Sequence, residues 1–230
     1  KAMNFLKDIF TIFYPDICLC CKDQLTTNEQ LICIDCRHDL PVTNFTDTTD
    51  NIVEKIFYGR VPVEEATSLL YFLKKGKVQE LMHQLKYKNQ QKVGTFMGDW
   101  LGEIMLNSKR FKTIDCIIPV PLHKTKQQLR GYNQVSTFGK SLSQKLNIPF
   151  YEDILLKTSA TKTQTKKLRL DRWKNSEHQF TLQKTNTFKN KHILLIDDII
   201  TTGATLEACI NAFETYKNIK ISVATMAYTQ

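Results

Sequence analysis

Asp197 and Asp198 stand side by side at the end of the apolar run Ile193–Ile196, and Thr201-Thr202-Gly203-Ala204-Thr205 follows within a few residues. The spacing predicts a buried strand, an acidic pair, a tight turn and then a helix marked by Leu206, Ile210 and Phe213. A turn that feeds a helix N-terminus presents unpaired backbone N–H groups and the positive end of the helix dipole, which suits a phosphate. Gly203 permits a backbone torsion that a side chain opposes, and the hydroxyls of Thr201, Thr202 and Thr205 add donors. Two carboxylates repel a phosphate, so Asp197 and Asp198 suit the hydroxyls of a sugar, or a magnesium ion bridging sugar and phosphate. Together these groups describe a ribose 5-phosphate site. The plainer alternative is a strand–turn–helix capped by aspartate, but two adjacent acids at a buried strand end are costly without a partner.

A second constellation lies near the start. Five of the seven cysteines fall before residue 40. Cys18 with Cys21, and Cys33 with Cys36, form two C-x-x-C knuckles, and four thiolates complete a tetrahedral zinc site. Four protein ligands leave no open position, so the role expected of Zn2+ is structural. Cys20 is expected to be a bystander and His38 a surface residue.

The elements that must position these groups alternate along the chain. Thr67–Leu73, Ile114–Pro119, Tyr151–Leu156 and Ile219–Tyr228 are strand candidates. Helical spacing marks 78–87, 93–106 and the run from Val135 to Leu146, and Gly94, Gly98 and Gly102 predict close helix packing. The alternation argues for a parallel α/β sheet. Residues 3–14 form an amphipathic helix candidate expected to pack on the protein itself, and the mixed, polar stretch 41–65 reads as linker and entry to the main domain. The expected division is 3–45 as helix plus zinc-ribbon-like module, and 46–230 as the α/β domain. Residues 157–180 carry seven basic residues (Lys157, Lys162, Lys166, Lys167, Arg169, Arg172, Lys174) and read as a loop that orders over an anion or contacts nucleic acid. A net charge of +9 over 230 residues suits anionic partners without choosing among them. No apolar run approaches the ~18 residues that span a bilayer, and Lys7 and Asp8 break the first apolar stretch, so no secretory leader is expected.

Ile193–Leu206 resembles the phosphoribosyl pyrophosphate (PRPP) fingerprint of the type I phosphoribosyltransferase fold, an apolar strand, two acids, two apolar residues and T-T-G-x-T. The whole layout is similar to the ComF family (ComFC and GntX-like proteins). The marks are Phe13-Tyr14-Pro15, the two cysteine pairs, Leu85-Lys86-Tyr87, Val120-Pro121-Leu122, Arg130-Gly131-Tyr132-Asn133-Gln134, and Thr161, Gln164, Thr165, Leu168, Arg172 and Asn175. The resemblance implies a parallel sheet with flanking helices, ribose hydroxyls on Asp197 and Asp198, and the 5′-phosphate on Thr201–Thr205 with Mg2+ accompanying PRPP. It further implies a pyrophosphate loop after Pro119 and a hood loop at 157–180, so that Arg130, Lys166, Arg169 and Arg172 face pyrophosphate. Gln127, Gln128 and Leu129 stand where the family often has another arginine. The family also implies a cytoplasmic role in DNA uptake during natural transformation, near the inner membrane, with competence and helicase proteins as partners; DNA, single-stranded by expectation, is a further partner, its strand preference left open by the sequence. Turnover of PRPP is left open: an active transferase, or a DNA-handling protein whose PRPP site senses or survives.

Overall fold

The computed structural model describes residues 15–158, 179–183, 188–214, 216 and 218–229. The expected helix at 3–14, and most of the basic loop with Lys166, Arg169 and Arg172, lie outside the described residues.

The strands are β1 (Ala66–Tyr71), β2 (Cys116–Pro119), β3 (Leu155–Lys157), β4 (Phe180–Leu182), β5 (His192–Ile200) and β6 (Lys220–Tyr228). Among these, β1, β6, β5 and β2 lie in that order in one sheet whose neighbours all run parallel. The helices are α1 (Ile34–His38), α2 (Ile52–Lys55), α3 (Lys77–Tyr87), α4 (Lys92–Asn107), α5 (Lys124–Arg130), α6 (Gln134–Leu146) and α7 (Ala204–Asn211). A parallel sheet needs both faces covered, and the alternation along β5 shows how. Leu194 and Ile196 join the core under α3, α4 and α6, while Ile193 and Leu195 join the one under α7 and residues 45–61.

Four expectations are corrected. First, β5 does not end before the acids: it runs through Asp197 and Asp198 to Ile200, because β6 keeps pairing alongside, with Asp197 opposite Thr225 and Ile200 opposite Tyr228. Second, of the two parts of the 41–65 reading, linker and entry to the main domain, only the entry holds. Phe45, Val53, Phe57 and Val61 are buried, and the Asn51 side chain donates to the carbonyls of Thr48 and Ala66 at 2.9 and 2.8 Å while capping α2. Third, the regular part of the third strand candidate is Leu155–Lys157, which pairs antiparallel with β4 outside the main sheet, with Lys157 opposite Phe180. Fourth, the turn expected after Pro119 contains α5, capped by His123 and closed by Gly131 at φ +77°.

The glycine stripe behaves as expected. A methyl on Gly98 would meet the Phe138 carbonyl oxygen at 2.6 Å and Ser141 Cβ at 2.7 Å, so α4 and α6 approach along their backbones. That approach sets where α6, and with it Gln134, meets the carboxyl ends of the strands.

Candidate functional site

Three segments distant in sequence meet at the carboxyl end of β5. Lys86, in the last turn of α3, places Nζ 2.8 Å from Asp198 Oδ2. Gln134, the first residue of α6, donates Nε2–H to the same oxygen at 2.6 Å. Gln134 Oε1 in turn accepts from Arg130 Nη1 at 2.8 Å, and the Arg130 guanidinium lies 5.5 Å from the centre of the Tyr87 ring. Two further bonds fix the frame: the Tyr132 hydroxyl donates to the Leu85 carbonyl, and Asn133 Nδ2 donates to the Val120 carbonyl at 3.2 Å. Leu85-Lys86-Tyr87, Arg130–Gln134 and the acidic pair therefore form one connected polar network.

The two acids are unlike. Asp198 is buried and its Oδ2 already has a cation and an amide. Asp197 Oδ1 accepts the Asp198 backbone N–H at 2.8 Å, and burial together with the Asp198 charge holds Asp197 well above the usual carboxylate range.

Beyond Ile200 the chain turns through Gly203, at φ +71°, into α7, whose N-terminus has no side-chain cap. Asp197 and Ile199–Leu206 line a hollow of about 60 Å3 there, and Thr201, Thr202, Ala204 and Thr205 are exposed. Uncapped amides beside a small polar hollow suit an anion. The turn is held from behind by residues of the 41–65 stretch, for which the sequence predicts no role at the site. Arg60 Nη1 donates to the Thr202 carbonyl at 2.7 Å and its other arm pairs with Glu207, while Ile56 and Phe57 press on Gly203. Only a helical i, i+4 pattern at Ile52, Ile56 and Arg60 hints at this in the sequence.

Lys86 and Gln134 were family marks without a role. Of the residues expected to face pyrophosphate, the structure brings Arg130 to the network. A magnesium ion fits only in part: Asp198 Oδ2 is taken, which leaves Asp198 Oδ1 and Asp197 as oxygen donors.

The ligand atoms of Cys18, Cys21, Cys33 and Cys36 all lie within 4.8 Å of one another. Cys21 Sγ and Cys33 Sγ are 3.7 Å apart, close to the ~3.8 Å that a tetrahedron of ~2.3 Å metal–sulfur bonds requires. Backbone N–H groups of Cys20 and Cys33 each point at Cys18 Sγ from 3.4 Å, and that of Cys36 at Cys33 Sγ from 3.4 Å. The donor set can hold a metal such as zinc. Cys20 stands apart, its Sγ 4.0 Å from the Lys77 carbonyl, and His38 is exposed beside Asp39. Cys18 and Cys36 are buried in the same core as α3 and α4, so the module is packed on the sheet domain.

Residues 136–230, from α6 to β6, match the family model of the phosphoribosyl transferase domain. That match covers less than half of the chain. The chain's curated relatives agree with the ComF resemblance: it is 35% identical over 130 residues to Competence protein F of Haemophilus influenzae, covering 55% of this chain and 57% of that protein. It is 28% identical over 129 residues to DNA utilization protein YhgH of Escherichia coli K12, covering 55% and 56%, and 36% identical over 90 residues to Competence protein ComFC of Bacillus subtilis, covering 39% and 34%. The chain thus spans about half the length or less of these relatives. Among solved structures it is similar to adenine phosphoribosyltransferase of Leishmania tarentolae, at 13% identity over 66% of this chain and 74% of that one, with a TM-score of 0.40. No helix among the described residues is long and apolar enough to cross a membrane.

Proposed function

We propose that this chain binds PRPP and serves as a ComF-type factor in DNA uptake, handling incoming single-stranded DNA in the cytoplasm, at times against the inner membrane. The observation that carries the PRPP reading is the placement of an uncapped phosphate-type turn beside Asp197 and Asp198, with Lys86, Gln134 and Arg130 converging on the same spot. Asp197 and Asp198 hold the ribose hydroxyls. Thr201, Thr202, Gly203, Ala204 and Thr205 receive the 5′-phosphate, and Arg130 faces pyrophosphate, joined by Lys166, Arg169 and Arg172 of the hood. Magnesium arrives with PRPP, and zinc on Cys18, Cys21, Cys33 and Cys36 staples the N-terminal module of residues 3–45 onto the domain of 46–230. The DNA role comes from the names of the relatives, Competence protein F and DNA utilization protein YhgH, with competence and helicase proteins as partners. A net charge of +9 supports phosphate contacts whose affinity falls steeply with salt.

The second reading is an active phosphoribosyltransferase, favoured by Arg130 standing one residue away from Asp198 in the network. A nucleophile would bond to C1 of the ribose while the C1–oxygen bond breaks and its electron pair leaves on pyrophosphate, with Arg130 balancing that charge.

Calorimetric titration of Mg-PRPP into the wild type and into Asp197→Ala/Asp198→Ala, with pyrophosphate release followed on the same samples, tests both. Binding lost in the variant supports the PRPP site, and release adds the transferase. Absence of heat with the wild type removes the PRPP reading and leaves the cysteine module and the basic surface as the parts that handle DNA.

A further inference from the structure

A lysine and a carboxylate taken this far out of water are poor devices for stability, because desolvation offsets most of their attraction. The side chains of Lys86 and Asp198 are only 19% and 11% exposed, and they come from elements 112 positions apart. Gln134 adds a second donor to the same oxygen, so Asp198 Oδ2 is saturated and the carboxylate is fixed in direction. Lys86 is itself held where it is: the next residue, Tyr87, lies under the Arg130 guanidinium, and the preceding carbonyl, that of Leu85, accepts the Tyr132 hydroxyl. A ligand carrying a diphosphate and a phosphate would meet two acids here. The repulsion must be met by a positive charge, and one of the two Asp198 carboxylate oxygens, Oδ2, already faces an ammonium.

We infer that Lys86 is a positioning residue that supplies the cation at Asp198, so that the chain takes a phosphoribosyl diphosphate without a divalent ion on its acidic pair. This rests on the PRPP reading above. Magnesium then rides on the ligand's diphosphate and is dispensable for binding, whereas a chain without the ammonium must recruit a metal to the acids. Neutralising Lys86 should therefore do two things at once: weaken binding, and make what remains depend on metal. A merely structural salt bridge would change stability and leave the metal dependence as it was.

The test is calorimetric titration of PRPP into wild type, Lys86→Met and Lys86→Arg, each in EDTA and in excess magnesium, with thermal unfolding of all three as the check on folding. The expected result is a wild-type affinity that changes little between the two buffers, and a Lys86→Met affinity that is about tenfold or more weaker in EDTA and partly recovered by magnesium. Lys86→Arg, which keeps the charge, should behave like the wild type. Wild-type binding that appears only with magnesium overturns the inference while leaving the PRPP reading intact, and it does so without reference to any variant. Equal loss in Lys86→Met and Lys86→Arg with unchanged metal dependence overturns it as well. No binding by the wild type in either buffer removes the PRPP reading, and this inference falls with it.

Discussion

Arg60 holds the Thr202 carbonyl oxygen at 2.7 Å across 142 positions of sequence, and its other arm reaches Glu207 one turn into α7. A carbonyl pulled backwards leaves the amide side of the turn facing the hollow. Arg60→Gln should therefore loosen the turn more than the protein. The exposed ion pair contributes up to about 1 kcal/mol and the bond to the carbonyl about 1 kcal/mol. Thermal unfolding should shift slightly, while calorimetry with PRPP should show affinity lower by about three- to tenfold; an unchanged affinity would show that the turn keeps its shape unaided.

Gly203→Ala tests the same turn from inside. The residue sits at φ +71°, and an added methyl would meet Ile56 Cγ2 at 2.6 Å. The torsion costs about 1–2 kcal/mol, with overpacking of similar size added. Denaturant unfolding should show a loss of about 2–4 kcal/mol. Pairing the change with Ile56→Ala should recover only the steric part, since the torsion remains.

His192 predicts a pH dependence far from the site, at the amino end of β5. Its ring is buried between Thr113 Oγ1 at 2.8 Å and Ser222 Oγ at 2.9 Å, and burial lowers its pKa. The neutral ring is the form that the fold stabilises. Its contribution is fully present above the unfolded histidine pKa of about 6.5 and is lost as pH falls below that toward the lower folded value. Unfolding followed between about pH 7 and pH 5 should show stability falling in the wild type and falling less in His192→Asn. Asp115, whose carboxylate is held low chiefly by the His192 backbone N–H, acts in a separate window, losing its contribution only at more acid pH.

Metal removal should reach beyond the cysteine module. Cys18 and Cys36 share a core with Leu81, Leu85 and Met97 of α3 and α4. Elemental analysis of protein purified without chelator should find one zinc per chain, and Cys33→Ser should abolish it. Chelation should lower the midpoint of thermal unfolding of the whole chain, not only of the first turns; a chain that holds no metal, or one that melts identically without it, would contradict the four-thiolate site.

The acids, the threonine turn and the cysteine knuckles could be read in the sequence because each is a local pattern whose chemistry lies within a few residues. The helices could be read for the same reason: Val78, Leu81, Met82 and Leu85 repeat with helical spacing and are all buried in α3. What escaped depends on tertiary placement. Residues 41–65 look polar, yet Phe57 and Val53 are buried and the Asn51 side chain donates to the backbone carbonyls of Thr48 and Ala66. Nothing local says that Lys86 will find Asp198, because the pairing exists only once α3 and β5 share one side of the sheet. The end of β5 was missed for a related reason: two aspartates read as a strand's stop, and only the partner strand β6 shows that pairing continues past them.

The order β1-β6-β5-β2 has a consequence for how the molecule comes into being. The ladder that holds β1 is supplied by β6, some 150 residues downstream. During synthesis, β1 leaves the ribosome with both faces destined for the core and its neighbour still unmade, and only residues 220–228 can close the gap between it and β5. Closing so long a loop is slow, and the waiting edge is the kind that pairs with other chains. Assembly of this sheet therefore ends in one late step, and a chain halted before β6 keeps an unfinished edge that chaperones would hold and proteases would find.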